Sequence, residues 1–271
     1  MPTIVIGDIH GRADLLKDLL AQIRNRFGND VGIFHVGDLV DRGPTSKEVV
    51  QLCIDNGILG ILGNHEIWVH KLITTGEFDT FALHKMVQGQ ATLQSYGVTA
   101  GSDPDQIAED MLEAMPDSHK EYILGLPVIR RLTLGGQVYR LIHSGLKRDT
   151  ALTYLPAAEK HHKLHGTQSV SDSLADVIAS ETPASVLWTS NSWKNGPDLY
   201  HFPDGSIQIL GHSPTPRGEP LITAHWMAID CGCGTRGSVL AGVVLGTHEV
   251  LSTNGLVIKG VKSGGFTDFS L

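Results

Sequence analysis

Along the first 66 residues, short apolar runs alternate with longer amphipathic ones. "TIVI" (3–6) reads as a buried strand. In "ADLLKDLLAQIRNRF", Leu16, Leu20, Ile23 and Phe27 recur at helical spacing with Leu15 and Leu19 beside them, the stripe of an amphipathic helix. "VGIFHV" (31–36) predicts a second strand and "GILGIL" a third. Between them, residues 46–56 predict a second helix with Val49, Val50, Leu52 and Cys53 on its apolar face. Strand–helix–strand–helix–strand is the alternation of a parallel sheet with helical crossovers.

From about residue 67 to 125 helical periodicity takes over, in "EIWVHKLITT", "TFALHKMVQGQATLQSYG" and "DPDQIAEDMLEAMPDSHKEYILGLP". This predicts a helical insertion packed beside the sheet. Strands resume with "VIRRLTLGG" and "QVYRLIHSGL"; the polar stretch 149–185 predicts surface helices and loops. The last third holds "SIQILGHSP", "PLITAHWMAIDCGCG", "SVLAGVVLG", "HEVLSTNG" and "LVIKGV". Short strands broken by Gly and Asn turns predict a second, more antiparallel sheet. No repeat, low-complexity tract or linker divides the chain, so residues 1–271 read as one domain with the insertion inside it. With 41% hydrophobic and 18% charged residues, it can bury a sizeable core.

Charge narrows the partners. The formal net charge is −8 and Lys and Arg form no runs, so no basic face is offered to a nucleic-acid polymer or an anionic membrane. No window approaches the ~20 apolar residues of a membrane span. "MPTIVIGD" lacks the basic-then-apolar pattern of a leader. Cys53, Cys231 and Cys233 are too few, and odd in number, for a disulfide framework. A cytoplasmic location is expected. An anionic substrate remains open if local groups or bound cations supply positive charge, and 14 histidines make metal worth considering.

The polar motifs all follow apolar strands. They are Asp8 and His10 in "GDIHG", Asp38, Asp41 and Arg42 in "GDLVDRG", and Asn64 and His65 in "GNHE". His143 in "LIHSG" and His212 in "LGHSP" stand in the same relation to later strands. Ligands of α/β sheets bind at strand carboxyl ends, so these loops are expected to converge. Taken singly, each has a bland reading: Asp8 caps a helix, Asp38 and Asp41 form turns, Asn64 makes an Asx-turn, and the histidines sit in the core. Taken together, that reading needs a coincidence at every strand end. Carboxylate, imidazole and amide oxygen form a ligand set for manganese, iron or zinc. The surplus over one ion is explained if a carboxylate bridges two.

Other features read as structural. His161, His162 and His165 suit an exposed helix face better than a secondary metal patch. Cys231 and Cys233, at alternate strand positions, read as packing residues on one face. His35 and His225 are expected within strands. Trp188 and Trp193 either line a cleft or fill the core. Glu66 is placed to orient its loop or a ligand.

The series "GDIHG…GDLVDRG…GNHE…HSG…GHSP" resembles the calcineurin-like metallophosphoesterases, and among them the bacterial phosphoprotein phosphatase (PPP) type. "TLQSYG", "LGLP" and "IDCGC" extend the likeness nearly end to end. The resemblance implies an α/β fold, a four-layer αββα sandwich of two mixed sheets with a helical cap. It implies that Asp8 and His10 bind one metal, that Asp38 bridges two, and that Asn64, His143 and His212 bind the other. His65 becomes the general acid, paired with Asp41, and Arg42 faces the phosphate. Two cations roughly 3.5–4 Å apart lower the pKa of a bridging water, and the hydroxide attacks phosphorus in line. A histidine held by a carboxylate protonates the leaving oxygen, and an Arg fork grips two phosphate oxygens.

The chain also departs from the pattern. Leu62 stands where eukaryotic members carry Arg, and "HSG" stands for "HGG". "VLWTSNSWKNG" has no second phosphate-facing Arg, and Lys194 is the nearest cation there. "LGNH" and "HSG" are also similar to the symmetrical dinucleoside tetraphosphatases. Their second motif often lacks the Asp of "DRG", and their third often ends in Asp; this chain has Asp41 and Glu66. The expectation is a manganese-type phosphatase acting on phosphoserine or phosphothreonine proteins or on small phosphate esters. The alternatives are a symmetrical dinucleoside tetraphosphate hydrolase and, from another class, an inactive binding scaffold.

Overall fold

A computed structural model describes residues 1–101, 103–188, 198–235 and 238–255. Trp193, Lys194 and "LVIKGV" (256–261) lie outside the described residues. The N-terminal alternation is β1 (Thr3–Ile6), α1 (Ala13–Phe27), β2 (Gly32–His35), α2 (Ser46–Asp55) and β3 (Leu59–Gly60). β1 pairs parallel with β2, and β2 parallel with β3. The third strand is shorter than the apolar run predicts. The Ile58 amide closes the end of α2 on the Cys53 carbonyl, and the Leu62 amide turns to the Pro127 carbonyl.

The next stretch is helical throughout, as α3 (Glu66–Thr75), α4 (Gln90–Ser95), α5 (Pro104–Ala114) and α6 (Asp117–Leu124). Two predicted runs are broken. In 80–97 a 3-10 turn at Thr80–Leu83 stands apart from α4. A side chain at Gly89 would meet the Ala82 carbonyl at 2.8 Å, and Gln88 is left-handed at φ 60°. In 103–127, Pro116 separates α5 from α6 because the residue before proline is pushed out of the helical region; Met115 has ψ 119°.

A hairpin of β4 (Ile129–Leu134) and β5 (Gln137–Ile142) follows, turned at Gly135 and Gly136, both at positive φ. Then come α7 (Arg148–His165), α8 (Val170–Glu181), α9 (Ala184–Leu187), β6 (Ile207–Leu210), β7 (Leu221–Ile222), β8 (Trp226–Ala228), β9 (Ala241–Val244) and β10 (Val250–Ser252).

Among the described residues the strands form two mixed five-stranded sheets, ordered β10-β9-β1-β2-β3 and β4-β5-β6-β8-β7. The second sheet was expected to gather the late strands. Instead β9 returns antiparallel to the edge of β1 and β10 pairs antiparallel with β9, while β5, β6 and β8 run parallel in the second sheet. Strand alternation explains the layers. Ile4 and Ile6 of β1 pack with α1 and α2, while Val5 between them packs with Leu141, Ile209 and Met227 of the facing sheet. Ile142 points the other way, into a cluster with Leu174 and Ile178 of α8. The architecture is therefore helices, sheet, sheet, helices. No helix among the described residues is long and apolar enough to cross a membrane.

Three local expectations change. His225 sits exposed in the turn before β8 rather than in a strand. Cys231 and Cys233 do not share a face. Cys231 packs between the sheets and Cys233 on the helix side, because Gly232 at φ 82° breaks the alternation between them. Trp188 is about half exposed, 47%, so it does not fill the core.

One carboxylate stitches two strand-end loops together. Glu66, fully buried at the start of α3, accepts from the amides of Gly63 (2.9 Å), Asp38 (2.9 Å), Leu39 (2.7 Å) and Val40 (3.2 Å). Successive backbone N–H groups of this kind form an anion-binding nest.

Two stability outcomes follow from this packing. Glu66→Gln puts an amide N–H₂ against those donors; urea denaturation is expected to show a loss of about 3 kcal/mol or more, since each unpaired buried donor costs roughly 1–3 kcal/mol. Ile209→Ala, at the middle of the inter-sheet core, is expected to cost about 2–5 kcal/mol by the same measurement.

Candidate active site

The site lies where the carboxyl ends of parallel strands from both sheets meet. β1 delivers Asp8 and His10; β2 delivers Asp38, Asp41 and Arg42; β3 delivers Asn64 and His65. From the other sheet, β5 delivers His143 and β6 delivers His212. All nine residues that the strand-end pattern singled out join one network. The His212 amide donates to Asp8 Oδ2 at 2.8 Å, and His212 Nδ1 lies 2.7 Å from Asn64 Oδ1. Asn64 Oδ1 is 2.9 Å from His143 Nε2, which is 3.3 Å from Asp38 Oδ1. Asp38 Oδ2 is 3.5 Å from His10 Nε2 and 4.0 Å from His65 Nε2. His65 Nδ1 donates to Asp41 Oδ2 at 2.9 Å. Arg42 reaches His10 Nε2 at 2.7 Å and His65 Nε2 at 3.2 Å.

The backbone that aims these side chains is strained. His10 (φ 46°), Asp38 (52°), Asp41 (70°), Arg42 (65°) and His212 (68°) all occupy the left-handed region. That region is costly for residues with a Cβ, and such strain gathers at functional sites. Loop-to-loop bonds hold it. The Ile9 and His10 amides both donate to the Asp38 carbonyl at 2.9 Å, and the Gly11 amide donates to the Leu39 carbonyl at 2.8 Å. Glycine is required where the loops touch. A Cβ on Gly11 would fall 2.4 Å from the Gly43 carbonyl oxygen, and one on Gly63 would fall 2.3 Å from Asp38 Oδ1.

Two imidazoles are oriented as ligands usually are, with one ring N–H committed to a carbonyl and the other nitrogen turned inward. His143 Nδ1 donates to the Val36 carbonyl at 2.7 Å, and His10 Nδ1 to the Val40 carbonyl at 3.0 Å. Two groups have ligand atoms within 4.8 Å of one another: His10, Asp38 and His65, and Asp38, His143 and His212. Asp38 belongs to both.

Electrostatics show what the pocket lacks. Burial and the neighbouring charges of Asp230 and Asp38 hold the Asp8 carboxyl well above its usual range. Burial works against charge on His143, but Asp38 and Asp8 outweigh it and push that imidazole up to about 10. Burial and His143 bring His212 down to about 4. Burial opposes charge on His65 too, yet Asp38 and Asp41 raise it above its usual value. Asp8 Oδ1 and Asp230 Oδ2 are buried with no hydrogen-bond partner among the described residues. Unpaired buried carboxylate oxygens are costly unless cations meet them. The donor set, the orphaned oxygens and the shared Asp38 fit divalent metal ions.

Three participants carried no assigned role in the sequence reading. Asp230 follows β8 within "IDCGC" and accepts from the Gly232 amide at 2.8 Å. The strand-end rule that marked His143 and His212 applies to it equally. Thr92 and Trp68 hydrogen-bond Asp41 from the helical stretch, and no spacing signal marks such contacts.

The family model for calcineurin-like phosphoesterases matches residues 1–220. The symmetrical bis(5'-nucleosyl)-tetraphosphatase of Acidovorax ebreus is 29% identical over 148 residues, 54% of this chain and 44% of that one. Its Neisseria gonorrhoeae counterpart is 41% identical over 71 residues, 26% of this chain and 25% of that one. Serine/threonine-protein phosphatase 2 of Escherichia coli is 37% identical over 73 residues, 27% of this chain and 33% of that one. The matches thus span less than half the length of these relatives. Among solved structures, a chain provisionally described as a diadenosine tetraphosphatase superposes with TM-score 0.54 at 20% identity, covering 96% of this chain and 94% of that one. A mutant cold-active protein tyrosine phosphatase gives 0.54 at 16% identity, with 96% and 80% covered. The two structural likenesses concern the fold. The family model, matched over residues 1–220, establishes that the chain belongs to the calcineurin-like phosphoesterase family.

Proposed function

We propose that the chain hydrolyses phosphate monoesters of alcohols, as phosphoserine or phosphothreonine peptides or as small esters, with two divalent cations. Asp8, His10 and Asp38 would hold one cation, and Asp38, Asn64, His143 and His212 the other. Imidazole, carboxylate and amide oxygen suit manganese, iron or zinc, and manganese is the ion chosen for testing. When bound, the pair supplies Lewis acidity toward the phosphoester and toward solvent.

The chain's own residues supply the rest. Arg42 presents a planar fork suited to two phosphate oxygens. His65 keeps Nδ1–H on Asp41, so Nε2, which Arg42 approaches at 3.2 Å, is the nitrogen that would carry a proton to the leaving oxygen. The thiols offer no competing nucleophile. Burial raises all three, with Cys53 and Cys233 pushed up to about 12, and a thiol in that range is not a thiolate near neutral pH.

The observation that carries the reading is the 2.9 Å contact between His65 and Asp41 beside Arg42. An alkoxide is a poor leaving group and needs a proton as it departs. A nucleoside diphosphate departs as a stabilised anion and needs none. A pocket that keeps a buried acid pair is suited to the first. A second reading, symmetrical hydrolysis of a dinucleoside tetraphosphate, draws on Leu62 in place of Arg and on the tetraphosphatase relatives.

A substrate panel separates these. The manganese-loaded protein is expected to release phosphate from a phosphoserine peptide and from p-nitrophenyl phosphate, to stop on chelation, and to cleave diadenosine tetraphosphate more slowly. His65→Asn is expected to keep two ions per chain while kcat on the phosphopeptide falls by about 10²–10⁴. Faster symmetrical cleavage of the dinucleotide selects the second reading. Less than one ion per chain after loading, with no hydrolysis, leaves a binding scaffold.

A further inference from the structure

The helical stretch between β3 and β4 reaches into the site at Asp41. Thr92, fully buried on α4, donates its hydroxyl to Asp41 Oδ1 at 2.6 Å and accepts the Asp41 amide at 2.8 Å. Ser46 Oγ lies 3.0 Å from the same hydroxyl and accepts the Asp41 amide at 3.2 Å. Trp68 on α3 donates its indole N–H at 3.1 Å to Asp41 Oδ2, the oxygen that faces His65 Nδ1 at 2.9 Å. The indole is itself fixed by an edge-to-face contact with Phe78, with centroids 5.7 Å apart.

Each oxygen of Asp41 therefore has a side-chain donor from outside the sheet framework. The Thr92 hydroxyl grips side chain and amide of a residue held at φ 70°. A carboxylate on a short side chain turns about two bonds. Tying both oxygens removes that freedom and leaves Oδ2 directed at the imidazole.

We propose that Thr92 and Trp68 are positioning residues for the His65–Asp41 pair, so that the helical stretch sets the direction of proton delivery. This rests on the hydrolase reading above. Its consequence depends on the leaving group. Misdirecting the pair slows departure of an alkoxide and leaves a phenolate that needs no proton nearly unaffected.

The test compares Thr92→Val, Thr92→Ser and Trp68→Phe in the manganese-loaded full chain. On a phosphoserine peptide, Thr92→Val and Trp68→Phe are expected to lower kcat about tenfold or more with KM within about twofold, a fraction of what a general acid contributes. On dinitrophenyl phosphate the same variants should stay within about threefold of the parent. Thr92→Ser, which keeps the hydroxyl, should match the parent on both. Equal losses on both substrates, or Thr92→Ser behaving like Thr92→Val, overturn the proposal. Proton NMR of the His65 ring N–H, taken on the metal-free chain because manganese would broaden the signal away, gives a readout without turnover. Its hydrogen-bonded resonance is expected to shift or broaden in Thr92→Val, and an unchanged resonance overturns the proposal. If the parent hydrolyses neither ester, the hydrolase reading fails by itself, and the ring resonance still decides whether Thr92 and Trp68 orient the pair.

Discussion

Three carboxylates, those of Asp8, Asp38 and Asp230, share one buried pocket between two sheets, and their mutual repulsion is the constraint on which the rest of the site turns. Like charges out of water are costly, and the remedies are protons, cations or donors. The pocket shows part of each. Burial and repulsion favour a proton on Asp8. His143 is raised to about 10 by Asp38 and Asp8 against the pull of burial, so it serves as a local cation. Asp8 Oδ1 and Asp230 Oδ2 have no hydrogen-bond donor among the described residues. Divalent ions held by these residues would answer all three needs together, favouring the ionised form of Asp8 and the neutral form of His143 and meeting the bare oxygens.

Holding that charge in place requires backbone that would not otherwise adopt its shape. Five of the nine site residues are left-handed without being glycine. The sheet supplies rigidity up to the last strand residue, and hydrogen bonds between loops supply it beyond. Glu66 is central to this. Its carboxylate takes four backbone amides, three from the β2 loop and one from its own, and so fixes Asp38 relative to Asn64 without entering the pocket. Burial and Asp38 push Glu66 up to about 7 against the pull of these amides, so the carboxyl that holds the loops faces peptide N–H groups while Asp8, Asp38 and Asp230 face inward.

Much of this was legible in the sequence because two rules act locally. Apolar periodicity marks α1 and α3 to the residue, and the strand-end rule marks all nine site residues, because a parallel sheet must place its carboxyl-end loops side by side. What was hidden depends on distant backbone. The short β3 follows from Pro127, over sixty positions away, taking the Leu62 amide. The return of β9 to β1 joins Val5 to Val243, and local alternation carries no address for a partner that remote. The Cys231 and Cys233 side chains part because one glycine between them is left-handed. Thr92 escaped notice for a related reason. A threonine on a helix has no pattern that says its hydroxyl meets a carboxylate 51 residues earlier.

The proposed metal ligands and the proposed acid pair speak to different questions. The ligand set is suited to phosphoester chemistry in general, and relatives with either kind of substrate match this chain in part. Ligands therefore cannot choose between a phosphopeptide and a dinucleotide. Asp41 bears on that choice, because besides tying α3 and α4 to the β2 loop it orients His65, and an oriented acid matters in proportion to the basicity of the leaving oxygen. Keeping Asp41 is expensive: it is fully buried, left-handed at φ 70°, and needs donors from α3 and α4. An enzyme whose leaving group departed unaided would gain little from that arrangement and would be free to replace Asp41 with an uncharged residue. Its presence, with each oxygen satisfied and one aimed at the imidazole, is what supports the proposed hydrolysis of alcohol esters over the dinucleotide reading.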